Sequence, residues 1–254
     1  MSVARAPEPD PDELPRMTLL EHLEELRRRI IYSIAAIAVA FFGCWALSEP
    51  IFQFLAKPVY RFLPPGSKLT FLGITEPFML YMKVALLAGA FVAAPVVLLQ
   101  VWRFISPGLY PRERRWAAPF VFFGSFFFIA GGAFAYYVAF PFAVQFLLDV
   151  GQEFQPMITA DGYLSFLMTV ILGLGLMFEM PIVIVLLAKV GLVTPRFLLR
   201  NFRWAVLIIV FVAAVVTPTS DVFNLSLFAV PALLLYLLGV AAAFMVTRKK
   251  PAAE

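Results

Sequence analysis

The sequence predicts an all-α, polytopic membrane protein with six transmembrane helices, both termini cytoplasmic and a short fifth span. Three observations predict it. Of the 254 residues, 62% are hydrophobic and only 14% charged, with a mean hydropathy of +0.90, which is more apolar surface than a soluble domain of this size carries. The apolar residues fall into runs, several of about 18 residues or more, long enough to cross a bilayer as helices that satisfy their own backbone. The basic residues lie between those runs and on one side of them.

That sidedness can be read residue by residue. Arg5, Arg16, Arg27, Arg28 and Arg29 precede the first run, and Arg103, Arg112, Arg114 and Arg115 follow the second. Lys189, Arg196, Arg200 and Arg203 follow the fourth run, and Arg248, Lys249 and Lys250 follow the last. The alternate connections hold only Lys57, Arg61 and Lys68, while Lys83 lies inside a run. The positive-inside rule then places both termini in the cytoplasm, which requires an even number of spans. The net charge of +4 is thus a property of loops, and no nucleic-acid partner is expected.

In chain order, residues 1–16 hold four prolines and four acids without an apolar core, a composition that predicts a disordered cytoplasmic tail. A six-helix membrane domain is expected over 17–248 and a second short tail over 249–254. Thr18 and Glu21 fit a capping box. Leu19, Leu23, Leu26 and Ile30 form one apolar stripe of a helix that leads into the first span, Ile30 to Leu47. The connection from Ser48 to Glu76 is too polar and proline-rich to span and is expected to be a structured external cap, with interfacial turns at Ile51 to Leu55 and Val59 to Leu63. The second span is Phe78 to Leu99. The third is Ala117 to Phe140, closed by Pro141, and the acidic stretch to Gly162 follows as a loop. The fourth, Tyr163 to Ala188, carries Glu179 ahead of Pro181. The fifth, Trp204 to Val216, would cover only about 20 Å of a core about 30 Å thick, so the turn Thr217 to Asp221 sits deep or the bilayer is thinned there. The sixth is Val222 to Val246.

Few residues could carry chemistry. Cys44 is the single cysteine and His22 the single histidine, so disulfides and metal sites are not expected. No HExxH, GxSxG or phosphate-cradling glycine loop occurs; neither an enzyme nor a cofactor is expected. Glu25 in HLEELRRR and Glu113 in QVWRFISPGLYPRERRW are acids set among arginines. One reading pairs Glu25 with Arg29 at i, i+4 and leaves Glu113 solvated; the other makes the two a receptor for guanidinium groups, the natural bidentate partners of carboxylates. Trp102 and Phe104 are either interfacial aromatics or an apolar contact beside those acids. Glu179, costly in mid-span, should face a cavity, a partner or a neighbouring helix. Lys83, nearer a span end, can snorkel.

HLEELRRR, QVWRFISPGLYPRERR, AYYVAFP, FEMP and VTPTSDVF occur in that order from Met17 to Arg248. Together they resemble the TatC family, the large membrane subunit of the twin-arginine protein translocase. The resemblance implies a receptor and core subunit that binds twin-arginine signal peptides of folded proteins at the cytoplasmic face of the inner membrane. By position, Glu25 and Glu113 match the acids that contact the arginine pair, and Phe104 and Arg27 match the same surface. Glu179 and Asp221 match polar positions of the fourth span and of the entrance to the sixth, with Lys83 a further intramembrane candidate for groove or partner contact. Pro58 matches a proline of the first external loop. The implied partners are TatA- and TatB-type single-span subunits, signal peptides with their folded cargo, membrane lipid, and further copies of the chain within a larger complex. The alternative is a proton-coupled small-molecule transporter with Glu179 as relay and Lys83 as its partner.

Overall fold

The computed structural model describes residues 19–62, 68–106, 116–153, 157–217, 219 and 221–247. Ten α-helices are described: α1 Leu19–Trp45, α2 Ser48–Tyr60, α3 Glu76–Ile105, α4 Ala117–Phe134, α5 Phe140–Val150, α6 Ala160–Phe178, α7 Met180–Val190, α8 Pro195–Arg200, α9 Phe202–Val216 and α10 Val222–Thr247. A π-helical turn, Ala135–Ala139, joins α4 to α5. Five helical stretches are long and apolar enough to cross a membrane: Leu20–Trp45, Glu76–Ile105, Ala117–Val150, Ala160–Val190 and Val222–Thr247. α9 is the shorter sixth, 15 residues long. The end of the bundle that holds the start of α1 and the end of α10 is called the terminal face below, and the opposite end the far face.

The first departure from the expected elements is at Pro141, which does not close the third span. The helix passes through it to Val150. Proline lacks an N–H, and in regular α geometry its ring collides with the carbonyl four residues back. The turn ahead of it widens instead, and the Phe140 N–H reaches back five residues to the Ala135 carbonyl, the signature of a π-bulge. In the fourth span the chemistry of proline produces a break rather than a bulge: Glu179 is a turn residue between α6 and α7, two positions ahead of Pro181.

The external connection is more regular than its prolines suggest. Instead of separate interfacial turns it forms one helix, α2, with Pro58 inside it. Pro58 removes the N–H that would bond the Phe54 carbonyl, and the Tyr136 hydroxyl from the π-helical turn donates to that carbonyl at 2.6 Å. The Tyr163 hydroxyl of α6 donates to the adjacent Leu55 carbonyl at 2.7 Å. α2 is thereby fastened as a cap on the far face, with buried Leu55, Ala56 and Val59 turned into the core. A short pairing of Thr70 with Thr159 closes the same face: the Thr70 N–H donates to Ile158 and the Ala160 N–H to Thr70.

The main core is built where α3, α6, α10, α2 and the π-helical turn meet, around Val84, Phe140, Leu164, Leu167, Leu174 and Phe228. α1 lies outside it and packs along α3. The two approach closely at Gly89, where a Cβ would come within 2.8 Å of the Phe41 backbone nitrogen. Small residues allow such contact between membrane helices, whose association relies on packing rather than on apolar burial.

Candidate functional site at the terminal face

The seam between α1 and α3 carries the polar cluster expected to bind ligand. Glu25 and Arg29 lie one turn apart on α1, and Arg29 donates through one guanidinium nitrogen to Glu25 Oε1 at 2.9 Å. Its other terminal nitrogen reaches across to Gln100 Oε1 on α3 at 3.4 Å. The i, i+4 pair weighed from spacing is therefore present. It is only half-satisfied, because Glu25 Oε2 and Arg29 Nε are buried with no hydrogen-bond partner. The Glu25 side chain is 13% exposed, so its second oxygen has lost water without gaining a donor, an arrangement that costs free energy unless something completes it.

One turn before Glu25, His22 stacks on Phe104 of α3, with ring centroids 4.4 Å apart and 21° between planes. Glu25 and Phe104 are thus parts of one seam, joined through His22 and through the Arg29 bond to Gln100, four residues before Phe104. Arg27 projects from the exposed face of α1. Trp102 faces the other way, buried against Phe120, with its rings 5.1 Å apart. Glu113 lies outside the described residues. His22 and Gln100 were not singled out as binding residues from the sequence, although their spacings, three before Glu25 and four before Phe104, place each pair on one helix face.

The remaining candidates do not join this cluster or one another. Glu179 sits at the break between α6 and α7, its carboxylate aimed at the notch left by Gly124 on α4, where a Cβ would lie 3.3 Å from Oε2 and 2.8 Å from Leu98 Cδ1. Glu179 Oε1 is buried without a partner. Next to it, an apolar groove of about 360 Å³ runs between α4, α7 and α10, lined by Phe123, Phe127, Pro181, Ile182 and Leu238 among others. Lys83 does not pair with Glu179. Its ammonium donates to Asp161 Oδ1 and to Ser165 Oγ on α6, which removes the partner that a Lys83–Glu179 proton relay would need. Asp221 caps α10: its Oδ1 accepts the Asn224 backbone N–H at 2.7 Å and its Oδ2 the Asn224 side-chain amide at 2.8 Å, the bonding of an N-cap carboxylate. Pro58 is buried in the cap.

Comparison with known proteins decides the family. A family model described as Sec-independent protein translocase protein (TatC) matches residues 21–231. The chain belongs to the TatC family. Among curated TatC proteins, that of Koribacter versatilis is 46% identical over 241 residues, 94% of this chain and 89% of that one. That of Helicobacter pylori strain 26695 is 41% identical over 229 residues, 90% of this chain and 88% of that one. A crystal structure described as the twin arginine translocase receptor TatC superposes with a TM-score of 0.78 at 35% identity, covering 90% of this chain and all of that one. The TatC fold thus accounts for the helix order from α1 to α10, and this chain is a membrane component of the Sec-independent protein translocase.

Proposed function

We propose that this chain is the receptor of the translocase, holding the two consecutive arginines of a signal peptide at the cytoplasmic face. Glu25 and Glu113 accept the guanidinium groups, Phe104 supplies the apolar contact, and Arg27 borders the same surface. The observation that carries this reading is the half-satisfied Glu25. One oxygen is engaged by Arg29 while the other is buried and unpartnered, so an incoming guanidinium N–H completes a bond rather than breaking one. A bond of this charge-assisted kind is worth about 1.5–3 kcal/mol. The described residues flanking the connection that holds Glu113 are Ser106, at the end of α3, and Trp116, at the start of α4, the same end of α3 that carries Phe104.

The same reading places the chain in the cytoplasmic (inner) membrane with both termini inside, in keeping with its basic connections. It assembles there with TatA- and TatB-type single-span subunits and with further copies of itself. Glu179 and the apolar groove beside it receive a partner helix or the apolar part of the signal peptide, and the unpartnered Oε1 supports that role because a buried acid in a bilayer seeks a donor. The transporter alternative has lost its relay partner, since Lys83 is held by Asp161.

A photo-crosslinker at Phe104 tests the receptor role. It should capture a twin-arginine peptide in membranes and fail with the same peptide carrying two lysines. Equal capture of both would remove arginine recognition from this seam.

A further inference from the structure

We propose that the cleft on the far face between α2 and the π-helical turn binds the phosphate of an anionic phospholipid headgroup from the adjoining leaflet. The cleft measures about 290 Å³ and is lined by Phe54, Lys57, Pro58, Arg61, Tyr136 and Tyr137. It does not depend on the receptor reading given above.

The charge pattern comes first. The connections on this face hold three basic residues, Lys57, Arg61 and Lys68, and two of them enter one cleft. Lys57 and Arg61 are four residues apart at the end of α2, both exposed, where like charges repel by a few tenths of a kcal/mol. The ion pairs among the described residues are Arg29–Glu25 and Lys83–Asp161, so no described carboxylate offsets either cation. Lys57 Nζ lies 5.5 Å from the Phe54 ring centroid, and Phe54 stacks on Tyr136 with centroids 4.8 Å apart, giving the cations a stiff aromatic wall. The Tyr136 hydroxyl is already spent on the Phe54 carbonyl, which leaves the two cations as the charged groups that face the cleft.

Depth then selects the ligand. Tyr137 lies about twenty residues beyond Ala117 along one helical stretch, and at 1.5 Å per residue that is about 30 Å, the thickness of the hydrocarbon core. The cleft therefore opens at the level of the headgroups. Tyr137, Tyr60 and Phe54 are all exposed there, as interfacial aromatics are. An arginine offers a phosphate two parallel N–H donors and a lysine adds a point charge. The π-helical turn has a purpose in this arrangement, because it sets consecutive tyrosines on the cleft, one buried as a tether and one exposed as a wall.

The test uses the full chain purified in a neutral detergent, with phosphatidylglycerol as the probe and bound lipid counted by native mass spectrometry. The Lys57→Gln/Arg61→Gln double variant should bind roughly tenfold more weakly or worse, as expected for the loss of charge-assisted contacts. Lys68→Gln, on the same face but outside the cleft, should bind like the parent. Circular dichroism checks folding, and if the double variant is not recovered folded, each single substitution should still weaken binding measurably. Unchanged binding by the folded double variant, or by both single variants, would overturn the proposal. Equal retention of phosphatidylcholine would overturn the anionic assignment. Displacement of the lipid by millimolar inorganic phosphate would overturn the lipid source in favour of a soluble anion.

Discussion

The α2 cap with the connections beside it and the seam between α1 and α3 treat polar groups in opposite ways. On the far face, the carbonyl freed by Pro58 is taken up by Tyr136, Tyr163 bonds the carbonyl beside it, Lys83 is paired with Asp161, and the Glu76 carboxylate accepts the N–H groups of Leu72, Gly73 and Asp161. At the terminal face the Glu25–Arg29 pair leaves one carboxylate oxygen and one guanidinium nitrogen buried and unmet. Of the other described buried side-chain atoms without a partner, one belongs to Glu179 and one to Asn224, and none to the α2 cap. A satisfied network fixes a shape. An unsatisfied one in an otherwise ordered seam holds free energy that a ligand can release.

That contrast can be broken by substitution, and the largest effect should come at the open seam. Glu25→Ala is expected to weaken binding of a twin-arginine peptide roughly 10- to 150-fold, with a loss of stability of about 1–3 kcal/mol, because Arg29 loses its 2.9 Å acceptor. A large drop in melting temperature with intact binding would reverse the assignment of the two regions. Next in size, Gly89→Val inserts a side chain where a Cβ already lies 2.8 Å from the Phe41 backbone, and overpacking of this kind costs about 1–3 kcal/mol. Binding should fall with stability, because the wedge separates α1 from Phe104 and Gln100.

Asp221→Ala should cost about 1 kcal/mol as a lost N-cap and leave peptide affinity untouched. Burial alone would raise the Asp221 carboxyl, but the Asn224 backbone N–H, together with the Thr219 and Asn224 side chains, holds it below the ordinary aspartate range. A group depressed in the folded state contributes stability that is present above its ordinary value and lost as pH falls through the folded one. Melting of the parent should therefore drop on strong acidification by more than melting of Asp221→Asn. The smallest change is expected for Tyr136→Phe, which leaves the Phe54 carbonyl without its donor at a cost of about 0.5–1.5 kcal/mol. Adding Pro58→Ala should recover part of that loss by restoring a backbone N–H in its place, a double-mutant measurement of whether the two residues act through one carbonyl.

The spans were legible in the sequence because runs of some 18 apolar residues have few alternatives, and their order is the order of those runs along the chain. The Glu25–Arg29 pair was legible because acid and base stand four residues apart on one helix face. The misreadings share a cause. The sequence reads Pro141 as the close of the third span and Ile51 to Leu55 and Val59 to Leu63 as separate turns, yet a proline ends a helix only when no local adjustment or side chain absorbs the lost bond; here a π-bulge and a tyrosine hydroxyl do so. Tyr136 and Tyr163 were not visible as donors, since their partners lie 82 and 108 residues away in the chain. Lys83 was offered Glu179 as a mate because both stood out in apolar runs, whereas its partner Asp161 was hidden in an acidic loop. The stack of His22 on Phe104 likewise required knowing that α1 and α3 run side by side.

α9 is a 15-residue helix that covers about 22 Å of a slab about 30 Å thick, so lipids that meet its full length must compress or tilt along that flank. At fractions of a kcal/mol per ångström of mismatch, the elastic load reaches a few kcal/mol, and two molecules that turn the same flank toward each other share one strained perimeter instead of maintaining two. Any molecule that docks along α9 would therefore relieve part of that load, a contribution to association that needs no side-chain recognition.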